Sequence, residues 1–78
     1  MGIYSSSSYY NNIEKNLIYN NSLNGIFLGS SNYNNITNNN ISLNRGPGID
    51  AAEIYDLIIE SNVIHNNSQN GIGLTNSN

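Results

Sequence analysis

This chain has no cysteine, one histidine, one proline and few charges of either sign. The lack of cysteine excludes a disulfide framework and a thiolate metal site. Imidazole ligands are almost absent as well, so we predict no bound metal and no cofactor. Only Lys15 and Arg45 are basic and the net charge is −3, which argues against nucleic acid as a partner.

Long apolar runs are also missing. No stretch approaches the length of a membrane span, and the N-terminal region lacks the basic and apolar segments of a secretion signal. We therefore predict no membrane span, and a secretion signal of the natural protein would lie outside this chain. Asparagine, by contrast, accounts for 19 of the 78 residues. Its side chain competes for backbone hydrogen bonds, so a chain this rich in asparagine is not a helix bundle.

Glycine and isoleucine recur along the whole chain at one fixed interval. The columns are Gly2, Gly25, Gly48 and Gly71, each followed by an isoleucine at Ile3, Ile26, Ile49 and Ile72. A strict repeat of this length is typical of a solenoid. The repeat divides the chain into units that we call rungs, at residues 2–24, 25–47 and 48–70, with a partial rung at 71–78. We predict one solenoid domain or fragment over residues 1–78.

Four further columns keep the same period. They are Ile13, Ile36 and Ile59; Asn16, Asn39 and Asn62; Ile18, Ile41 and Ile64; and Asn21, Asn44 and Asn67. If each rung is one turn of a parallel coil, residue i lies about 4.8 Å from its copy in the next rung. Side chains of the same type then stack on one another. The isoleucines then form a layered interior. The asparagines form hydrogen-bonded ladders at the corners, as Asn side chains do in stacked cross-β structures.

The pattern therefore predicts an all-β fold, a single-stranded parallel β-helix. Each glycine is interpreted as a turn residue of the repeat, so none forms a phosphate-binding loop. Two other folds share some of these features. Asn24-Gly25 and Asn70-Gly71 are hairpin dipeptides that an antiparallel meander would use, and leucine-rich repeats have periods of about 20–29 residues. A meander gives no reason for identity at a fixed interval, and the leucine pattern of a horseshoe is missing.

The repeat also resembles a known family. Gly-Ile-x-Leu, followed by Asn-Asn-Ile-x-x-Asn-x-Ile-x-x-Asn, is similar to the repeats of right-handed parallel β-helix proteins, which include the pectin lyase-like enzymes. It is most similar to the group of the periplasmic copper-binding protein NosD and the carbohydrate-binding and sugar-hydrolase (CASH) domains. The resemblance covers Gly2 to Asn78 and implies three strands per rung. It places them at Gly25–Gly29, Asn34–Asn38 and Asn40–Leu43, with equivalents one repeat away in either direction.

We expect functional residues at positions where the repeat is broken, and rung three departs most from the repeat. Asp50 replaces Tyr4 and Phe27, and Glu53 and Asp56 replace serine and tyrosine columns. Tyr4, Phe27 and Asp50 are predicted to face outward on the first strand. Exposed aromatic rings beside a carboxylate are typical of a sugar-binding groove, so these three residues are the candidate carbohydrate site.

A catalytic site is the alternative interpretation of rung three. In β-helix glycosidases and lyases the resemblance places substrate along the first-strand face, where acid pairs protonate the substrate and activate water. Asp50 and Glu53 are the weak candidates for such a pair. Calcium on Asp50, Glu53 and Asp56 would require oxygen ligands that converge on one loop. We predict neither catalysis nor a metal site.

These observations predict a non-catalytic structural or binding module of an extracellular, cell-surface or periplasmic β-helix protein, with a polysaccharide or glycan as ligand. The alternative is a fragment of a polysaccharide lyase or glycoside hydrolase. A solenoid needs capping ends, and neither terminus has a polar amphipathic cap. We therefore expect either further rungs of a longer chain or end-to-end self-association.

Overall fold

The computed structural model describes residues 1–77, and all of its regular elements are β-strands. In chain order they are β1 (Ile3–Ser6), β2 (Asn12–Glu14), β3 (Leu17–Tyr19), β4 (Ile26–Gly29), β5 (Asn35–Thr37), β6 (Asn40–Ser42), β7 (Ile49–Ala52), β8 (Ile58–Glu60), β9 (Val63–His65) and β10 (Ile72–Thr75). Every third strand belongs to the same sheet. The bounds agree with the predicted strands to within one residue at each end.

Three parallel sheets form the sides of the solenoid. Their strand orders are β1-β4-β7-β10, β2-β5-β8 and β3-β6-β9. The register is constant, because each strand residue pairs with its copy in the next rung, as Ile13 does with Ile36 and Ile36 with Ile59. The predicted parallel β-helix is therefore confirmed, and an antiparallel meander is excluded because each ladder runs parallel.

Branched aliphatic side chains fill the interior. On β4 the burial alternates, so that Ile26 and Leu28 are fully buried while Phe27 between them is only half-buried. The buried apolar core comprises Ile13, Ile18, Ile26, Leu28, Ile36, Ile41, Ile49, Ala51 and Ile54. β-branched residues suit short strands because their restricted χ1 packs well on a pleated surface. The layered isoleucine interior predicted from the columns is the observed core.

Two asparagine ladders run along the inside of the corners. Asn39 shows the complete pattern, because its Oδ1 accepts the backbone N–H and the Nδ2 of Asn16 at 2.9 and 3.0 Å. Its own Nδ2 donates to Ile13 O at 2.9 Å and to Asn62 Oδ1 at 3.0 Å. The same contacts link Asn21, Asn44 and Asn67. A buried amide can therefore be fully satisfied in a position where an unpaired polar group would be costly.

The corners themselves depend on left-handed backbone. Positive φ occurs at Ser7, Tyr10, Lys15, Asn20, Ser30, Tyr33, Asn38, Leu43, Glu53, Asp56, Ser61, Asn66 and Asn76, which form four columns of the repeat. No glycine of the described chain has positive φ. A single left-handed residue costs a non-glycine side chain about 1–2 kcal/mol, so each rung carries strain that its ladders and core must offset.

The repeat glycines serve close packing rather than left-handed turns, which corrects the expectation from sequence. A Cβ on Gly25 would lie 2.6 Å from the carbonyl oxygen of Gly48 and 2.6 Å from Ile41 Cγ2. Gly48 has the same constraint, with its nearest neighbours at 2.7 and 2.8 Å. Hydrogen atoms at these positions let the start of each first strand approach both the next rung and the isoleucine interior.

The ladder predicts a large difference between two adjacent asparagines. Asn39→Ala removes four hydrogen bonds from a residue that is 2% exposed. At roughly 1 kcal/mol for each bond, we expect a loss of about 2–5 kcal/mol in the free energy of unfolding. Urea denaturation followed by circular dichroism measures it. The control is Asn40→Ala at an exposed site, expected to change stability by less than about 0.5 kcal/mol. An equal loss of unfolding free energy in both variants would show that the amide ladder does not stabilise the fold.

The glycine column predicts a similar contrast. Gly25→Ala forces a methyl group into backbone and isoleucine atoms at 2.6 Å, and we expect a cost of about 3 kcal/mol or more. Gly71→Ala is the matched control, because its Cβ would meet only Ile64 Cγ2 at 3.7 Å. That variant should be neutral or slightly stabilising, since alanine restricts the unfolded chain. Thermal unfolding of both variants tests this, and a stable Gly25→Ala protein would refute the packing argument.

Candidate functional site

Three outward columns run along the first sheet and the corner that follows it. On rungs one to three they contain Tyr4, Phe27 and Asp50; Ser7, Ser30 and Glu53; and Tyr10, Tyr33 and Asp56. We call these nine residues the aromatic–acidic face. The first column points outward because it alternates with the buried residues of β1, β4 and β7. The other two columns lie on left-handed corner residues, and their exposed side chains point away from the core.

Two pairs of aromatic rings stack across neighbouring rungs on this face. The ring centroids of Tyr4 and Phe27 are 5.4 Å apart with an angle of 12° between the ring planes. Those of Tyr10 and Tyr33 are 5.0 Å apart at 6°. Each ring uses one face for this contact. The other face of Phe27 and the other face of Tyr33 adjoin rung three, where their columns continue as Asp50 and Asp56.

Small residues make room beside the Phe27 ring. The Cε2 and Cζ atoms of Phe27 lie 3.0 and 3.4 Å from the position of a Cβ on Gly29, so the ring lies against the end of its own strand. Ala52 follows Gly29 in the next rung, and Gly73 follows Asp50 in rung four. The ring is therefore bordered on rung three by the short side chain of Ala52 and by Asp50.

The carboxylates of Asp50 and Glu53 have only neutral, long contacts within residues 1–77. Asp50 Oδ2 accepts Nδ2 of Asn24 at 3.5 Å, and Glu53 Oε2 accepts Oγ of Ser30 at 3.5 Å. Both distances are at the outer limit of a hydrogen bond, so these contacts are weak. The negative charge on rung three is thus not neutralised by the described protein.

The structure brings the predicted carbohydrate residues together and separates the weak catalytic candidates. Tyr4, Phe27 and Asp50 occupy one column in register. Asp50 contacts a residue that precedes β4, whereas Glu53 contacts the residue that follows β4. Their carboxylates are therefore directed toward opposite ends of that strand.

Sequence reasoning did not include Tyr10 and Tyr33 among the site residues. The signal was present, because both tyrosines share a column that ends in an aspartate, as Tyr4 and Phe27 do. That column falls on a corner outside the predicted strands, where a side chain's direction is not fixed by alternation. The positive φ of both tyrosines determines it instead, and their side chains are exposed.

Two shallow grooves lie at other corners. The first, of about 440 Å³, is lined by Lys15, Asn16, Leu17, Asn38, Asn39, Asn40, Ser61 and Val63. The second, also about 440 Å³, is lined by Asn20, Asn21, Ser22, Leu43 and Arg45. Both basic residues of the chain thus lie at these grooves, and neither belongs to the aromatic–acidic face.

The described part of the chain offers no metal centre. Among residues 1–77, no group of three or more His, Asp or Glu side chains is arranged to hold a metal ion. The same residues contain no helix long and apolar enough to cross a membrane. His65 is exposed on β9, and its Nδ1 lies 3.2 Å from Nδ2 of the neighbouring Asn66.

Comparison with known proteins gives one match. A family model described as a right handed beta helix region matches residues 1–78. No curated protein and no solved structure matches the chain.

The ring pair on the corner predicts a measurable coupling. In a double-mutant cycle with Tyr10→Ala and Tyr33→Ala, we expect a coupling free energy of about 0.5–1.5 kcal/mol, because stacked rings contribute beyond their buried area. Urea denaturation of the two single variants and the double variant measures it. The control cycle pairs Tyr10→Ala with Tyr19→Ala, a tyrosine on β3 in another column, and should give no coupling. Equal coupling free energies in both cycles would contradict a stabilising contact between the rings of Tyr10 and Tyr33.

Proposed function

This chain belongs to the right-handed β-helix family, and we propose that it is a non-catalytic binding module of an extracellular or cell-surface β-helix protein. Its ligand is a polysaccharide, and the aromatic–acidic face binds it. The observation that carries the proposal is the pair of aromatic stacks, each of which is followed by an aspartate in the next rung of its column. Ring faces pack on the apolar faces of pyranose rings, and carboxylate oxygens accept hydrogen bonds from sugar hydroxyls.

Exposure supports a ligand for these rings. Tyr4 is 62% exposed and Tyr10 is 78% exposed, so the rings leave a large apolar area in contact with water. The stacks hold the rings in fixed positions on a rigid scaffold of parallel strands. Binding therefore costs little side-chain entropy, which favours affinity for a ligand of matching shape.

The contacts of the carboxylates favour binding over catalysis. Asp50 and Glu53 contact donors at opposite ends of β4, whereas a glycosidase holds its two carboxyl groups about 5–10 Å apart on either side of one bond. The alternative remains a fragment of a polysaccharide lyase or glycoside hydrolase in which Asp50 takes part in the chemistry. The resemblance of the repeat to the NosD and CASH group supports an extracellular, cell-surface or periplasmic location.

Further rungs, or a second copy of the chain, are proposed to cover the two ends of the solenoid. The inward-facing residues Ile72 and Leu74 of β10 are 44% and 53% exposed, although their equivalents on β4 are fully buried. At the opposite end, Nδ2 of Asn11 is buried and has no partner within residues 1–77. The corresponding atom of Asn34 donates to Ser31 O at 2.8 Å and to Ser8 O of the preceding rung. A neighbouring rung would cover Ile72 and Leu74 at one end and would supply Asn11, at the other end, with an acceptor equivalent to Ser8 O.

A glycan array of neutral, acidic and basic polysaccharide fragments tests the proposed function. We expect binding that Phe27→Ala weakens by about five- to tenfold, because an aromatic contact is worth roughly 1 kcal/mol. Tyr19→Ala removes an exposed ring from a different column and should leave the affinity unchanged.

A reducing-sugar assay on the bound polysaccharides separates the two functions. We expect no release of reducing ends by the unmodified chain. Turnover that Asp50→Asn abolishes would establish the enzymatic alternative, and absence of any glycan that depends on Phe27 would reject the binding module.

A further inference from the structure

We propose that the saccharide bound by the aromatic–acidic face is cationic, a polymer of amino sugars whose ammonium groups lie against rung three. This inference rests on the proposed function and names its ligand class. The feature that carries it occurs in two outward columns, where an aromatic residue of rung two is followed by an aspartate in rung three, and we call each such place a junction. Phe27 is followed in register by Asp50 in the first column, and Tyr33 is followed by Asp56 in the third.

Aromatic faces and carboxylates attract the same kind of group at this junction. The face of an aromatic ring carries negative potential and attracts an ammonium group within about 6 Å of its centroid. A carboxylate attracts the same ammonium by charge and accepts its hydrogen bonds. An amino sugar presents both complementary parts in one ring, because its carbon–hydrogen face packs on the aromatic ring while its ammonium group reaches the acid.

The protein leaves the charge of this face available. Asp50 and Glu53 contact the neutral groups of Asn24 and Ser30 at 3.5 Å, the longest distance that still counts as a hydrogen bond. A cationic ligand would therefore displace no internal ion pair among the described residues. The basic residues of the chain lie at the grooves of the second and third corners, so they do not compete for these carboxylates.

The face also discriminates against other saccharides. A uronic acid polymer would bring carboxylates toward a face that already carries three of them, and like charges in close contact oppose binding. A neutral sugar could pack on the rings but would gain no charge attraction. The column separation favours a polymer over a monomer. Phe27 and Tyr33 are six residues apart, a path of at most about 20 Å, so several sugars can bind both junctions at once and gain avidity.

Three oligosaccharides of equal length test the inference with the full chain in solution. The probes are the hexamers of glucosamine, N-acetylglucosamine and galacturonic acid, which are cationic, neutral and anionic, and titration calorimetry measures their affinities. We expect the glucosamine hexamer to bind at least tenfold more tightly than the other two. Its affinity should fall as salt is added, because surface charges are screened, and should fall as its amines lose their protons at higher pH.

Variants identify the groups responsible. Asp50→Asn and Asp56→Asn should each weaken the glucosamine hexamer about three- to tenfold, the range expected for an exposed ion pair with a hydrogen bond, and should weaken the neutral hexamer less, because the asparagine amide oxygen still accepts a hydrogen bond from a sugar hydroxyl. Phe27→Ala should weaken both hexamers. The controls are Glu14→Gln and Glu60→Gln, which remove the same charge from the second sheet and should have no effect. Circular dichroism confirms that each variant is folded.

The outcomes separate this inference from the function on which it rests. Equal binding of the neutral and cationic hexamers, sensitive to Phe27→Ala but not to Asp50→Asn, would overturn the charge inference and keep the binding module. Glucosamine binding that falls equally in the Glu14→Gln control would reveal nonspecific attraction to an acidic protein and would also overturn it. Failure of all three hexamers and of the glycan array would reject the proposed function itself.

Discussion

The fold depends on one constraint: the buried asparagines of the two ladders must find hydrogen-bond partners in the rungs beside them. Asn39 has two neighbours of its own kind, Asn16 and Asn62, and a backbone carbonyl in reach, and its amide is then fully satisfied. This works only if the copies lie directly over one another. A rung that gained or lost a single residue would move an isoleucine or an exposed side chain into the ladder column, since neighbouring positions on a strand face opposite sides. The strict period of the sequence follows from this requirement.

The constant register between rungs also explains which positions of the repeat can vary. In the ladder and isoleucine columns inside the coil the residue type is kept, because each amide or isoleucine there packs on its copy above and below. Outside it, stacking at about 4.8 Å only brings side chains into contact, and different residues are tolerated. Tyr4 and Phe27 therefore stack by default, as does Tyr10 on Tyr33. Because the rungs stack in register, a residue that changes in one rung lies next to its copies in the neighbouring rungs. Asp50, on the first strand of rung three, therefore adds a carboxylate to the column of Tyr4 and Phe27.

Most of the architecture could be predicted from sequence because the period encodes it. Strand bounds, parallel register and ladders all follow from which residues share a column. The role of Gly25 did not follow, since a glycine column is compatible both with left-handed turns and with close packing, and only the distance to Gly48 and Ile41 decides between them. The sequence also did not predict the direction in which the side chains of Asp50 and Glu53 point. It depends on which neighbour each side chain reaches, and a repeat specifies the position of a Cα rather than a rotamer.

Rung three differs from rungs one and two on its inner side as well as on its outer face. In rungs one and two the first corner is held by polar contacts, with Ser31 Oγ accepting from Ser8 N at 3.0 Å and Asn34 Oδ1 from Asn11 N at 2.9 Å. The third rung replaces these residues with the buried Ile54 and the partly buried Leu57. Hydrophobic packing there replaces the hydroxyl and amide side chains of rung two, while the backbone N–H of Ile54 still donates to Ser77 Oγ at 3.0 Å. On rung three the polar side chains of this corner, Glu53 and Asp56, are therefore on its exposed outer side, and apolar side chains occupy its inner side.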